Sequence, residues 1–178
     1  MLNPHPAQQG FSLVELAIGM LIFSILLALA APSFRNWIQS SQIRNAAEAI
    51  QNGLQLARAE AVRYNSPVQF ALGTGSNWIV GCVTATATCP ATIQARSSAE
   101  GSSNATVAAN QAVIAFNGLG RVTPVPAGDI NINITNPVGG SCAPSGAMRC
   151  LRIVTTVGGQ IRMCDPALTL SATFPQGC

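Results

Sequence analysis

The sequence predicts an α+β fold in which a long N-terminal helix, transmembrane in its first half, packs on a small antiparallel β-sheet head. Three observations predict it: an apolar run near the N-terminus, a helical apolar stripe after it, and short β-branched segments through the rest of the chain. Of the 178 residues, 48 % are apolar and 8 % are charged. This composition favours one folded domain with a membrane-seeking element over a disordered chain.

The apolar run covers residues 11–31 and contains one charged side chain, Glu15. As a helix it spans roughly 32 Å, which matches the ~30 Å hydrocarbon core of a bilayer. An ordinary signal peptide is disfavoured because the leader MLNPHPAQQG has no Lys or Arg and no polar mature start follows the run. A single-span anchor is therefore predicted. A free periplasmic module would need cleavage within or after the run, where no site is marked.

Glu15 is the unusual feature of this run. A carboxylate near the middle of a membrane costs about 2.5–3.5 kcal/mol on insertion scales, so it indicates a function and requires a cationic partner. The alternative is that Glu15, four residues after Phe11, lies at the headgroups in the uncut chain.

The segment GFSLVEL, residues 10–16, resembles the class III signal of type IV prepilins and pseudopilins. The resemblance implies that a prepilin peptidase cuts between Gly10 and Phe11 and methylates Phe11. It also implies that Glu15, the fifth mature residue, pairs with the N-terminal ammonium of a neighbouring subunit. Such a pair offsets much of the cost of burying either ion in lipid. The leader departs from the family pattern because it has no basic residue before Gly10.

Residues 32–64 are predicted to continue the helix in amphipathic form. Asn65, Ser66 and Pro67 end it, and the charged residues off the apolar stripe form a solvated or subunit-facing side. The stripe recurs at spacings of three and four and consists of Ile43, Ala47, Ile50, Leu54, Ala57 and Ala61.

The head, residues 65–178, is predicted to contain two small antiparallel sheets or one split sheet against the helix. Its strand segments are β-branched, often alternate, and are divided by Gly, Pro and Asn. Residues 91–111 are small and polar and are interpreted as a long surface loop. The predicted strands are PVQFAL, NWIVGCV, AVIAFNG, GRVTPV, DININIT, LRIVTT and QIRMC.

The head contains six cysteines, an even number that indicates disulfides in a domain delivered across the inner membrane. Fifteen pairings are formally possible for six cysteines. Short loops favour three local pairs: Cys82 with Cys89, Cys142 with Cys150, and Cys164 with Cys178. No spacing is the C-x₂-C of a zinc site, and His5 leaves with the leader, so neither a metal nor a cofactor is predicted.

The residue types disfavour an enzyme. The chain has no Lys, the mature chain has no His, and the head has three carboxylates, Glu100, Asp129 and Asp165. Acid–base and nucleophilic sites lack their usual members, and no catalytic residue is predicted.

A second resemblance concerns the head. VIAFNGLGRVTP, residues 113–124, and LRIVTTVGGQIRMC, residues 151–164, are similar to paired segments of the FimT/GspH group of minor pilins and type II secretion pseudopilins. Some FimT-like members bind DNA in natural transformation through a C-terminal G-R-x-R turn. Here the turn has Gly159, Gln160 and Arg162, so Gln160 replaces the first Arg and only Arg162 matches.

Three arginines near this turn, Arg149, Arg152 and Arg162, are candidates for weak, sequence-independent DNA binding through phosphates. The alternative is that they are solvated strand residues or bind carbonyl groups across the disulfide loops. Both interpretations remain open at this point.

The sequence thus predicts a minor type IV pilin of the type IV pilin-like superfamily, which primes or caps pilus assembly and contributes weak DNA binding for DNA uptake. Its expected partners are other major and minor pilins, the prepilin peptidase and the inner membrane. The precursor would cross the bacterial inner membrane once, with its head in the periplasm, and would then enter the pilus at the cell surface. The alternative is a GspH-like minor pseudopilin of a type II secretion system, which would contact secreted proteins. The predicted segments are a leader (1–10), a transmembrane helix (11–31), its amphipathic continuation (32–64) and the head (65–178).

Overall fold

The computed structural model describes residues 12–178, without the side chains of residues 31–33. The chain divides into two units, one ending at Arg35 and the other comprising Asn36–Cys178. The elements are the helix α1 (Leu13–Tyr64), the strands β1 (Val68–Leu72), β2 (Trp78–Cys82), β3 (Gln94–Arg96), β4 (Thr106–Ala109), β5 (Val113–Phe116), β6 (Val122–Thr123) and β7 (Ile130–Thr135), a short 3-10 helix (Pro137–Gly139), and the strands β8 (Leu151–Thr155) and β9 (Ile161–Cys164).

The N-terminal unit contains the first part of α1. Its large apolar side chains, among them Leu13, Phe23 and Leu29, are exposed. Among the residues that the structure describes, α1 contains a stretch long and apolar enough to cross a membrane, with a mean hydropathy of 2.5 and none of that stretch buried. Length and composition therefore allow this part of α1 to span a bilayer.

The part of α1 that belongs to the second unit has one buried face. Its predicted apolar stripe is confirmed, because all six side chains, from Ile43 to Ala61, are fully buried. Gly53 lies on the same face, where an added Cβ would come within 2.7 Å of the Phe70 ring. The helix ends at Tyr64 as predicted: Asn65 adopts a positive φ of 48°, and the Ser66 amide donates to the Ala61 carbonyl.

The strands form two antiparallel sheets. Sheet A has five strands in the order β3-β2-β1-β5-β6, and sheet B has four in the order β4-β7-β8-β9. The α+β fold with one long N-terminal helix and an antiparallel β head is thereby confirmed. Each predicted strand segment contains one of the strands β1, β2 and β5–β9.

The prediction of one long surface loop over residues 91–111 is wrong. This segment contains β3 and β4, which are edge strands that pair with β2 and β7. β3 has no buried side chain, and in β4 the exposed residues alternate only with the half-buried Val107 and Ala109, so neither strand has the buried face that a strong apolar alternation marks. Backbone pairing to a neighbour, rather than burial of apolar side chains, forms both strands.

The inner faces of both sheets share one core with α1. In β7 every second residue, Ile130, Ile132 and Ile134, is buried, as the alternating sequence DININIT predicts. In sheet A, Phe70 packs against Trp78 with ring centroids 5.6 Å apart. Burying these side chains stabilises the fold by about 1.5–3 kcal/mol each.

A cluster of amides joins α1 to the loops beside sheet B. Asn136 is fully buried, and its Nδ2 atom donates to Gln39 Oε1 at 2.6 Å. Its Oδ1 atom accepts from the Val138 amide and thereby caps the N-terminus of the 3-10 helix. Asn104 donates its backbone N–H to Gln42 Oε1 at 3.2 Å. These directional bonds fix which part of α1 lies against the loops.

Three disulfides close short loops of the second unit: Cys82–Cys89, Cys142–Cys150 and Cys164–Cys178, with Cα atoms 5.9, 5.5 and 5.2 Å apart. These are the three local pairs favoured by the sequence. Loops of this length give a chain-entropy stabilisation of roughly 2–3 kcal/mol each. With its own core, both sheets and all three disulfides, the unit Asn36–Cys178 contains the interactions that it needs to fold by itself.

Candidate functional site

The predicted processing site, Gly10 and Phe11, lies outside the described residues. Glu15 is in the first turn of α1 and is exposed. Beside it are Leu16, Gly19, Met20 and Phe23. The one carboxylate of this turn therefore stands in an apolar surface, an arrangement that disfavours insertion into lipid unless a cation neutralises it.

The three candidate arginines each bind an internal partner. Arg149 Nε donates to Asp165 Oδ2 at 2.9 Å, and its side chain is 57 % exposed while that of Asp165 is 8 % exposed. Arg152 Nε donates to Asn133 Oδ1 at 2.7 Å. Arg162 Nη1 donates to the backbone carbonyl of Gly177 at 3.0 Å. The alternative interpretation is that these arginines bind carbonyl groups across the disulfide loops. The Arg162 contact is of this kind, because Gly177 lies in the loop that the Cys164–Cys178 disulfide closes.

Strand register places two of these arginines on the same face. Ile153 is buried, so its neighbour Arg152 lies on the outer face of sheet B. Arg162 pairs with Val154, which is on that face too. Arg152 and Arg162 are therefore diagonal neighbours on adjacent strands. Arg149 precedes β8 and lines a groove against α1 instead.

The turn between β8 and β9 is tight. The Gly159 amide donates to the Thr156 carbonyl at 2.8 Å, and the Thr156 amide donates to the Gln160 carbonyl at 2.9 Å. Gly159 is buried with φ +83°, a region that favours glycine, and an added Cβ would collide with the Gly120 carbonyl. Gln160 is exposed at the tip.

The two head segments of the FimT/GspH resemblance meet at this point. In the first, Asn117 Oδ1 accepts the amides of Leu119 and Arg121 and closes the β5–β6 turn. Gly120 of that turn then contacts Gly159 of the second segment. The close approach of Gly120 and Gly159 explains why glycines occur in both segments.

Arg58 also takes part in the junction of Gly120 and Gly159, a role that the sequence did not predict. It is one of the charged residues off the apolar stripe of α1 and is exposed, but its Nε atom also donates to the Gly120 carbonyl at 3.1 Å. No local signal marks this role, because Arg58 and Gly120 are 62 residues apart.

Within residues 12–178, no group of three or more His, Cys, Asp or Glu side chains is placed to hold a metal ion.

Two family models match the chain. Residues 46–167 match the family of the type II transport protein GspH, and residues 5–31 match the prokaryotic N-terminal methylation motif. The second match covers the predicted leader and the apolar run. No significant relative was found among the curated proteins.

Two solved structures share the fold. The chain is similar to the type IV minor pilin FimU of Pseudomonas aeruginosa, with 19 % identity over 68 % of this chain and 87 % of that one and a TM-score of 0.51. It is also similar to the minor pseudopilin EpsH from the type 2 secretion system of Vibrio cholerae, with 12 % identity over 71 % and 99 % of the two chains and a TM-score of 0.52.

The family and the fold are those of structural pilin subunits rather than of known enzymes, and the methylation motif and apolar helix fit a membrane-anchored pilin. The coarse function is therefore that of a minor pilin or pseudopilin of a type IV pilus or a type II secretion system, which assembles with other pilins. Because the GspH model matches more than half of its residues, the chain belongs to the family of the type II transport protein GspH.

Proposed function

We propose that the chain is a minor type IV pilin, a non-catalytic subunit that is cut after Gly10, methylated at Phe11 and placed in or at the tip of a pilus to prime or cap its assembly. The observation that carries the proposal is the N-terminal pattern. Gly10 and Glu15 have the spacing of the class III signal, and a match to the methylation motif spans residues 5–31. The proposed boundaries are leader 1–10, membrane helix 11–31, continuation 32–64 and head 65–178.

Glu15 is proposed to act in assembly. Its carboxylate is surrounded by apolar side chains, so it is costly in lipid until the ammonium of a neighbouring subunit's Phe11 pairs with it. Assembly then offsets the free-energy cost of holding the unpaired Glu15 carboxylate of a single subunit in lipid. The partners are other major and minor pilins, and the prepilin peptidase acts before assembly at the inner membrane. The head faces the periplasm first and the cell surface afterwards.

The head is proposed to bind DNA weakly and without sequence preference. The supporting observation is that Arg152 and Arg162 share the outer face of sheet B, next to the exposed tip residue Gln160. Each guanidinium has five N–H donors. Arg152 and Arg162 each use one of them in an internal hydrogen bond, so the other donors remain for phosphates. The internal contacts and the glutamine at position 160 explain why the binding would be weak.

A type II secretion pseudopilin is the second candidate, because the matching family model is named for type II transport. Deletion of the gene in its host separates the two. A minor pilin predicts loss of surface pili with normal secretion, and restoration by the intact gene. Loss of secretion with normal piliation would contradict the pilus assignment and support the pseudopilin.

A further inference from the structure

A groove of about 430 Å³ lies between α1 and the end of sheet B, within the unit Asn36–Cys178. Its volume falls in the roughly 300–1,000 Å³ range of ligand pockets. Trp37 and Arg44 form the α1 wall, and Arg149, Met163 and Asp165 belong to the opposite wall. None of these residues belongs to the face of Arg152 and Arg162 that is proposed to bind DNA.

The groove has a net positive charge. Asp165 is nearly buried, and both of its carboxylate oxygens are occupied: Oδ2 accepts from Arg149 and Oδ1 accepts from the Ala167 amide at 2.9 Å. Arg44 is exposed, and its side chain forms no ion pair or hydrogen bond within the part of the chain that the structure describes. Glu48, one helical turn away, is not within ion-pair distance of it. Two guanidiniums therefore line the groove with one carboxylate, each of whose oxygens already accepts a hydrogen bond.

The rest of the groove lining combines apolar residues with the polar residues Ser40, Ser41 and Gln176. Trp37, which is 66 % exposed, lines the α1 side, and Leu151 and Met163 line the other side. Methionine side chains adjust to irregular partners, and a tryptophan ring contributes a large apolar contact. The apolar residues on both sides favour an amino-acid side chain over a phosphate backbone, which has no apolar group to place against them.

We propose that this groove binds a segment of another pilin-like subunit in which an Asp or Glu lies next to an apolar side chain. The carboxylate would pair with Arg44 and with the free donors of Arg149, and the apolar side chain would lie on Trp37 and Met163. This inference rests on the proposed function, because it requires that the chain assembles with other pilins.

The test uses the full chain in its host, with the photo-crosslinker p-benzoylphenylalanine at Ser41, which lines the groove. The same crosslinker at Asn52, exposed on α1 and not part of the groove lining, is the matched control. After irradiation, mass spectrometry identifies the peptide joined to each position. We expect Ser41, but not Asn52, to be joined to a different pilin-like subunit, at a peptide that contains Asp or Glu.

Charge reversal tests the role of the arginine. Arg44→Glu is expected to lower the adduct yield at Ser41 about tenfold, because repulsion replaces attraction. Arg121→Glu makes the same change at an exposed arginine outside the groove and is expected to leave the yield unchanged. Reversing the partner's carboxylate to Arg is expected to restore the adduct with Arg44→Glu.

The possible outcomes distinguish a failure of the groove proposal from a failure of the pilus assignment. An adduct on lipid, on nucleic acid or on a second copy of this chain would overturn the groove proposal, as would a yield that Arg44→Glu leaves unchanged. So would the absence of an adduct from a chain that is present in pili. An acidic peptide of a secretion pseudopilin joined to Ser41 would support the groove and contradict the pilus assignment.

Discussion

The side chain of Arg162 is held by the backbone of Gly177, because its Nη1 atom donates to the Gly177 carbonyl at 3.0 Å. Gly177 lies in the loop that the Cys164–Cys178 disulfide closes, and the Cys178 amide donates to the Asp165 carbonyl in the same loop. The C-terminal loop therefore orients Arg162, the one arginine that matches the G-R-x-R turn of some FimT-like members, and the Gly177 carbonyl occupies one of the donors of Arg162.

The first prediction concerns DNA binding by the unit Asn36–Cys178. If Arg152 and Arg162 each contact a phosphate, the log–log salt slope is roughly −2, at about −0.9 per phosphate. Arg162→Ala should make that slope less negative by about one unit, because one phosphate contact is lost. Gln160→Arg should strengthen binding, because it places a cation at the exposed tip and restores the family turn. Gel shifts of duplex DNA over a salt series measure both effects.

Arg96→Ala is the control for this prediction, since Arg96 is in sheet A and lies near Glu100. It should leave the slope unchanged. Absence of any shift at low salt for the unaltered head would contradict the DNA proposal, and a shift for Gln160→Arg alone would show that this chain has lost the activity of the family turn.

The second prediction concerns the junction of the two head turns. Gly159→Ala should lower the free energy of unfolding by about 2–4 kcal/mol, because alanine at φ +83° is strained and its Cβ would collide with the Gly120 carbonyl. Gly158→Ala is the matched control: its Cβ would meet nothing closer than Thr156 Oγ1 at 3.9 Å, and it should change stability by about 0.5 kcal/mol or less. Urea unfolding of Asn36–Cys178 compares them, and equal stabilities would contradict the close contact.

Patterns within short segments predicted the fold well. The helical stripe from Ile43 to Ala61 and the alternation in DININIT both mark buried faces, because burial repeats with the period of each element. The strands β3 and β4 have no buried position that would mark such a period: β3 is exposed or half-buried throughout, and β4 alternates only between exposed residues and the half-buried Val107 and Ala109. They were therefore assigned to a loop.

The candidate site was less predictable, because its contacts join distant parts of the chain. Sequence proximity grouped Arg149, Arg152 and Arg162, but the register leaves two of them on the outer face of sheet B while Arg149 pairs with Asp165 beside α1. Arg58 reaches the Gly120 carbonyl only after α1 and both sheets have packed. Neither arrangement has a local sequence signal.

The third prediction tests the buried amide cluster. Asn136→Ala should destabilise the head by about 1–3 kcal/mol, because Gln39 loses its 2.6 Å hydrogen bond and the Val138 amide loses its acceptor. Asn52→Ala removes an exposed amide from α1 and should change stability by about 0.5 kcal/mol at most. Chemical denaturation measures both variants, and an unaltered midpoint for Asn136→Ala would show that the cluster does not hold α1 in place.

The fourth prediction concerns Glu15. Glu15→Ala should leave membrane insertion intact or improve it, because a charge is removed from an apolar surface. It should lower the amount of chain in sheared pili about tenfold or more, because a neighbour's ammonium loses its partner. Ser24→Ala, which alters another polar residue of the same helical segment, is the control and should enter pili normally. Quantitative immunoblots of membranes and sheared pili compare them, and wild-type amounts of the Glu15 variant in pili would refute its role in assembly.

The central claim is that the chain is processed and assembled as a type IV pilin. The most direct test is mass spectrometry of the N-terminal peptide of the chain recovered from sheared pili of its host. The account predicts a mature protein that begins with N-methylated Phe11 and retains the apolar helix. A mature start near Ala31, an uncut start at Met1, or absence of the chain from pili that form normally without it would contradict the account.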